Sequence, residues 1–262
     1  MVFLLYHIGT MRYILNDYRK SDNTMEDKIL KFVEMVNESN NIVFFGGAGV
    51  STESGIPDFR SEDGLYNQHY KYPPEQILSH TFFMKHTKDF YEFYRDKMNS
   101  LKYEPNITHK KLAELEKKGK LKAVVTQNID GLHQKAGSKK VYELHGSVLR
   151  NYCMSCNQFY NAEYVFNGIN VPMCECGGII KPDVVLYQEG LDNSVIEGAV
   201  RAINDADMLI VAGTSLTVQP ASGLINYYRG NKLVLINKTA TFYDYKADLV
   251  INDGLGNVFS KL

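Results

Sequence analysis

The strongest chemical signal in the chain is its cysteines. All four fall in one window, as Cys153-x-x-Cys156 and Cys174-x-Cys176 with 17 residues between the pairs. Two closely spaced pairs across a short loop suit a tetrahedral four-thiolate zinc site. Four protein ligands leave no open coordination position, so such a metal would serve folding of its module rather than chemistry. Gly177-Gly178 fits the tight backbone of a zinc ribbon. The competing use of these thiols is two disulfides or a redox pair, and the chain start argues against disulfides. MVFLLYHIGTMRYIL is briefly apolar but lacks a basic region before its apolar residues and a small-residue cleavage site.

A second candidate is the segment Gly47-Ala48-Gly49-Val50-Ser51-Thr52, placed where an apolar run ends. Glycines let a backbone approach a pyrophosphate, and free N–H groups there favour anions. Thr52 stands where a third glycine would complete the usual dinucleotide fingerprint, and no acidic residue closes a second strand about 20 residues on. A tight turn is therefore the plain alternative, and a conventional dehydrogenase fits poorly. Next comes Gly55-Ile56-Pro57-Asp58-Phe59-Arg60, which sets an acid, an aromatic ring and a guanidinium side by side in a loop that could lie over a nucleotide.

Polar residues also collect where other apolar runs end. After 121–125 come Thr126, Gln127, Asn128, Ile129 and Asp130; after 208–212 come Gly213, Thr214 and Ser215; after 233–236 comes Asn237. Each could be a capped turn, since Asn and Asp are common turn residues. Three such ends together favour one shared nucleotide crevice, because ligands of open parallel sheets bind at strand carboxyl ends. His145, between a short run and Gly146, stands just before the cysteine window; an imidazole there suits proton transfer near neutral pH.

The elements that must position these residues follow from periodicity. Thr24 and Asp27 make a capping-box-like pair before the helical spacing Ile29, Phe32, Val33, Val36. A strand is predicted at 42–45. Thr108 precedes a helix carrying Leu112 and Leu115 and closed by Gly119, followed by a strand at 121–126. Ile196, Val200 and Ile203 mark a helix before a strand at 208–212; Pro220 opens another helix, and strands follow at 233–236 and 249–251. Strands with apolar centres alternating with helices predict an α/β fold, a parallel sheet with helices on both faces. Residues 61–104, rich in Tyr, Phe and His, and 147–185, holding the cysteines, interrupt that rhythm and read as inserts forming a smaller domain. The large domain is then 25–60, 105–146 and 186–262, with 1–24 an extension for which Met11 or Met25 is a candidate start.

Composition narrows the partners. The 262 residues are 44% hydrophobic and 23% charged, ordinary for a globular protein, and the net charge of -1 steers toward neither nucleic acid nor an acidic membrane. No apolar run approaches the ~18 residues that span a bilayer. A cytoplasmic monomer is the expectation.

Taken in order, Gly47-Ala48-Gly49-Val50-Ser51, 55–60, 126–133, His145-Gly146, both cysteine pairs, Lys181-Pro182-Asp183-Val184-Val185, Gly213-Thr214-Ser215 and Ile236-Asn237 resemble the sirtuins of bacterial type, from about residue 30 onward. The resemblance implies a Rossmann-like sheet with a smaller helical and zinc-ribbon domain, and NAD and an acylated protein lysine entering a cleft between them. In that family the acyl oxygen attacks C1′ of the nicotinamide ribose, nicotinamide leaves, and a histidine deprotonates the ribose hydroxyls so that the 2′-oxygen attacks the alkylimidate. Free lysine and O-acetyl-ADP-ribose result. Carried over, His145 is the base, with Asn128 beside it. Gly47, Ala48, Gly49, Ser51, Thr52, Asp58, Phe59 and Arg60 line the dinucleotide; Gln127, Asn128 and Asp130 contact ribose and nicotinamide, and Ile129 walls the nicotinamide pocket. Gly213, Thr214, Ser215, Asn237 and Leu255 hold the adenosine half, zinc is structural, and Val184, Val185, Tyr187 and Glu189 meet the substrate. One departure is Tyr187-Gln188-Glu189, where the family usually shows Phe-Gly-Glu. Another is the helical insert: relatives that remove acidic acyl groups resemble one another in a Tyr-x-x-Arg pair, whereas Arg95 falls one position late after Tyr91. Uncharged acyl groups are expected. An NAD-dependent mono-ADP-ribosyltransferase is the alternative enzyme, and a zinc-ribbon nucleic-acid module the alternative of another class.

Overall fold

A computed structural model describes residues 24–58 and 71–262. Thr24 caps the first helix, α1 (Met25–Glu38), and exchanges both hydrogen bonds of a capping box with Asp27. The next run forms β1 (Ile42–Gly46), buried at every position. It lies at the middle of a six-stranded parallel sheet with β2 (Leu121–Thr126), β3 (Val141–Glu143), β7 (Met208–Ala212), β8 (Leu233–Ile236) and β9 (Leu249–Ile251). The order is β3-β2-β1-β7-β8-β9. Numbered within this sheet alone it is 3-2-1-4-5-6, the doubly wound Rossmann order, whose switch point falls between β1 and β7.

Alternation along the strands divides the core. Phe44, Val124, Ile210 and Ile236 pack on one face with Phe32 of α1, Leu112 of α5 (Ile107–Lys117) and Phe259 of α9 (Leu255–Phe259). Val43, Phe45, Val125, Val211 and Leu235 pack on the other with Ala199 and Ile203 of α8 (Asn193–Asp205) and Leu224. Each large apolar side chain so buried contributes about 2 kcal/mol.

Two local expectations differ. The helix predicted behind Thr108 is capped two residues earlier, by Asn106, whose side chain accepts from the N–H groups of Thr108 and His109. Behind Pro220 the chain forms a 3-10 helix, Ala221–Tyr227, rather than an α-helix.

The smaller part holds a three-stranded antiparallel sheet, β5 (Phe159–Asn161), β4 (Gly146–Cys153) and β6 (Ile180–Val184), in the order β5-β4-β6. Against it lie α2 (Pro74–Ile77), α3 (His80–Lys85), α4 (Thr87–Lys97) and α7 (Ala162–Phe166). The aromatic residues of the helical insert are core: Tyr94 stacks on Phe90 and on Phe166 of α7, each at 5.4 Å between centroids. The hydroxyl of Tyr91 donates to the carbonyl of Ile180. These contacts join the two inserts.

Under the main sheet, His109 of α5 meets His133 of α6 (Leu132–Ala136), ring to ring at 4.7 Å, both fully buried. Burial pushes the His109 imidazole down to about 4 and also pushes His133 well below its ordinary range. Both are neutral in the folded state, whereas the unfolded chain protonates them near pH 6.5. The unfolded state therefore gains protons first as pH falls, and stability is lost between about pH 6.5 and 4, by about 3 kcal/mol for His109 alone. Urea unfolding across this range is expected to show that fall, and His133→Leu to show a shallower one; an equal slope in both proteins would contradict it.

Candidate active site

The glycines after β1 first of all allow two loops to interlock. A Cβ on Gly49 would stand 2.8 Å from Gly213 Cα, and one on Gly213 would stand 2.5 Å from the Val50 nitrogen. Gly213 also has φ +61°, in the left-handed region that favours glycine. The N–H of Gly47 donates to Ala212 O, and that of Gly49 to Gly213 O at 2.8 Å. With Val50 and Ser51 bonded to Gly47 O and Ala48 O, most of the free N–H groups expected here are used within the fold. The loop after β1 is two short 3-10 turns, Ala48–Val50 and Thr52–Ser54. Thr52 ties back to Gly49 O at 3.0 Å.

Ser51 is the hub between this loop and the end of β2. Its hydroxyl donates to Asp130 Oδ2 at 2.7 Å and accepts from Asn128 Nδ2 at 3.0 Å. The other oxygen of Asp130, Oδ1, accepts from the Leu132 N–H at 2.9 Å. Burial raises its carboxyl pKa, and the bonds from Leu132, Ser51 and Asn128 oppose that rise. The network fixes the orientation of the Asn128 carboxamide. Ile129, part-buried, packs against the core of the smaller part.

At the ends of β7 and β8, Thr214 donates its hydroxyl to Gln127 Oε1 and its N–H to Asn237 Oδ1, both at 2.9 Å. Three predicted strand ends thus form one hydrogen-bonded group. Its amide nitrogens are left over: Gln127 Nε2 and Asn237 Nδ2 are buried and have no partner. Buried unpaired donors are costly, so two of them converging at the switch point of a doubly wound sheet fit a polar dinucleotide. Ser215 is exposed and bonded to Thr217. Asp58 is half-buried, whereas Phe59 and Arg60 lie outside the described residues. The side chain of Leu255 belongs to the apolar core, which leaves its backbone for the expected contact.

His145 occupies the turn between β3 of the large sheet and β4 of the small one. Its Nδ1 lies 2.8 Å from the carbonyl of Gln127. A carbonyl only accepts, so Nδ1 carries the hydrogen and Nε2 keeps the lone pair. Burial lowers the pKa of this imidazole, and the bond to Gln127 opposes that in part. The ring is a neutral base at physiological pH.

The four cysteine sulfurs lie within 4.8 Å of one another. The pairs Cys153–Cys176 and Cys156–Cys174 are each 3.5 Å apart. A tetrahedral zinc with bonds of ~2.3 Å needs edges of about 3.8 Å, so the donor set fits. Gly178 makes room for it, since a Cβ there would stand 2.7 Å from Cys153 Sγ.

The Sir2 family profile matches residues 47–220. An NAD-dependent protein deacetylase of Clostridium acetobutylicum is 63% identical over 236 residues, covering 88% of this chain and 96% of its own.

The chain belongs to the Sir2 family.

A solved structure of Sir2 with a p53 peptide and NAD+ is 39% identical to this Sir2 chain, with a TM-score of 0.78 over 88% of this chain and 95% of the other. Another, a Sir2 mutant with deacetylated p53 peptide and 3′-O-acetyl-ADP-ribose, is 38% identical, with a TM-score of 0.82 over 89% and 96%.

In this Sir2 chain the segment after β6 links the two parts. Val184 pairs with Gly146, and the Val185 N–H donates to His145 O at 3.0 Å. Tyr187 is held on both sides of its backbone, donating to Leu78 O and accepting from the His80 N–H. Glu189 bonds His80, Lys181 and the Leu186 N–H, so its carboxylate is committed within the fold. Gln188 has φ +77°, a conformation that costs a non-glycine residue about 1 kcal/mol. Gln188, where the family usually shows glycine, thus stands in a backbone conformation that glycine adopts freely.

Several supporting residues escaped sequence reading. Asn106 caps α5 and also donates to Val50 O at 2.8 Å, bracing the glycine loop. Ser100 donates to Asp130 O at 2.9 Å. Arg150 joins Glu143 of β3 to Asp183 of β6 at 2.7 Å each, spanning the turn that carries His145. Asn106 was visible as a residue preceding a helix; the partners of Ser100 and Arg150 are distant in sequence and carry no local signal.

Proposed function

We propose that His145 is the base of an NAD-dependent protein-lysine deacetylase, with the group Ser51–Asn128–Asp130 organising the ribose and nicotinamide side of its pocket. The names of close relatives favour deacetylation over ADP-ribosyl transfer. The observation that carries the assignment is the Nδ1–H bond from His145 to Gln127 O, which presents Nε2 as an unprotonated base between the two sheets. NAD, when bound, supplies the ribosyl carbon that the acyl oxygen attacks. Nε2 takes the proton of the ribose hydroxyl system. Asn128 and Asp130 hold ribose and carboxamide, and Ile129 closes the nicotinamide side. Gly47, Ala48, Gly49, Thr52, Asp58, Phe59 and Arg60 line the dinucleotide, and Gly213, Thr214, Ser215 and Asn237 hold its adenosine half; Leu255 would serve through its backbone.

The peptide aligns along Val184, Val185 and Tyr187, with Glu189 bracing that edge, as an added strand. The large domain is 25–60, 105–146 and 186–262, and the inserts 61–104 and 147–185 make the smaller one. Zinc held by the four cysteines keeps the smaller domain folded. Uncharged acyl groups are preferred, because Arg95 is spent on structure: it donates to Val165 O and Asn170 O and lies 5.3 Å from the Tyr91 ring. Among the described residues no helix is long and apolar enough to cross a membrane.

Incubation with NAD and a panel of acyl-lysine peptides tests the reading. Nicotinamide release with loss of acetyl in preference to succinyl groups is expected, by at least about tenfold in kcat/KM, the low end of discrimination by one poorly matched group in a pocket. Labelled protein without deacetylation would instead favour ADP-ribosyl transfer.

A further inference from the structure

Three successive residues after β6 act together on the start of α3. The His80 N–H donates to Tyr187 O at 3.0 Å. The Thr81 N–H donates to Gln188 Oε1 at 3.0 Å, and the Thr81 hydroxyl donates to the same oxygen at 2.8 Å. Glu189 Oε1 lies 2.9 Å from His80 Nδ1. The next N–H, that of Phe82, is taken by Ser79 Oγ. Two of the first three donors of this helix are thus satisfied by the 187–189 segment rather than by the local cap.

Gln188 carries this arrangement at a conformational disadvantage. Its φ of +77° suits glycine, yet glycine has no side chain to reach Thr81. From this strained backbone position the side chain fastens one segment to another. On one side of the fastening is β6, whose continuation at Val185 bonds the His145 carbonyl; on the other is the helical insert.

We propose that Gln188 is a positioning residue for the acyl-lysine peptide, clamping the 185–189 edge to α3 so that it is formed before the peptide arrives. The proposal rests on the reading above that this edge meets the peptide. A preformed edge spares the ordering that binding would otherwise require, so the effect falls on peptide affinity and not on the chemical step.

The test uses the zinc-loaded full chain with NAD and an acetyl-lysine peptide. Gln188→Gly relaxes the backbone but removes the clamp, and is expected to raise KM for peptide about fivefold, the scale of one exposed polar contact with its ordering cost. Its kcat at saturating peptide and KM for NAD are expected to stay within about twofold. Gln188→Glu keeps the acceptor oxygen and should hold the wild-type peptide KM. Thr81→Val should raise KM less, and add little on the Gln188→Gly background. Amide hydrogen exchange of 185–189, with and without peptide, separates the two ideas. No peptide-dependent protection in the wild type would overturn the peptide-facing reading and the clamp with it. Protection in the wild type, with Gln188→Gly matching it in exchange and in KM, would overturn the clamp alone. A fall in kcat at unchanged peptide KM would also overturn it.

Discussion

His145→Ala is expected to lower deacetylation turnover by about 10²- to 10⁴-fold, the range supplied by a positioned general base. NAD affinity should change by no more than a few-fold, because the imidazole touches only the backbone carbonyl of Gln127, and the glycine loop, the Gln127 side chain, Thr214 and Asn237 are held by other bonds. The melting temperature should change little, since the ring is half-buried and makes one hydrogen bond. Nicotinamide and deacetylated peptide, followed by chromatography and mass spectrometry, measure the loss; turnover within tenfold of wild type would remove His145 from this role. The wild-type pH profile has a definite sign. Burial lowers the His145 pKa, so the base stays unprotonated to a lower pH than a free imidazole. The acid limb of kcat/KM should therefore be centred below about 6.5.

Loss of the metal is expected to be as damaging, by another route. Cys174 is buried, and its sulfur lies 3.5 Å from that of Cys156. Cys174→Ser, or stripping with a strong chelator, withdraws a contribution on the order of 10 kcal/mol from the module that holds the three-stranded sheet. The sheet carries Gly146 and Val184, which hold the His145 turn and the segment after β6. Metal analysis should show loss of stoichiometric zinc. Circular dichroism should show loss of strand signal, and deacetylation should fall more than about a hundredfold, consistent with unfolding of a module that supports the site. Full activity in zinc-free protein would deny the metal its structural role. The two experiments are distinguishable: His145→Ala should stop turnover in a folded, zinc-replete protein.

Much of this was legible in the chain. The strands at 121–126, 208–212, 233–236 and 249–251 coincide with their apolar runs, because strands buried on both faces leave little choice of residue. The Thr24–Asp27 capping box was equally clear, being a purely local hydrogen-bond exchange. Less legible was the helix start at Asn106, which lies two residues before the expected Thr108, and the 3-10 form of 221–227, where sequence signals for the two helix types overlap.

Cysteine spacing alone determined the donor set for zinc, and residue types alone nominated the three polar strand ends. Only the tertiary structure decided what those residues do for one another. Gly49 and Gly213 are 164 positions apart, yet each denies the other a Cβ. Ser51 joins Asn128 and Asp130 from a separate loop, and Gln188 borrows the donors of a helix more than a hundred residues earlier. The reason is physical. Periodicity and capping are set by near neighbours along the chain, whereas pairing of buried polar groups depends on which strand ends the sheet order brings side by side.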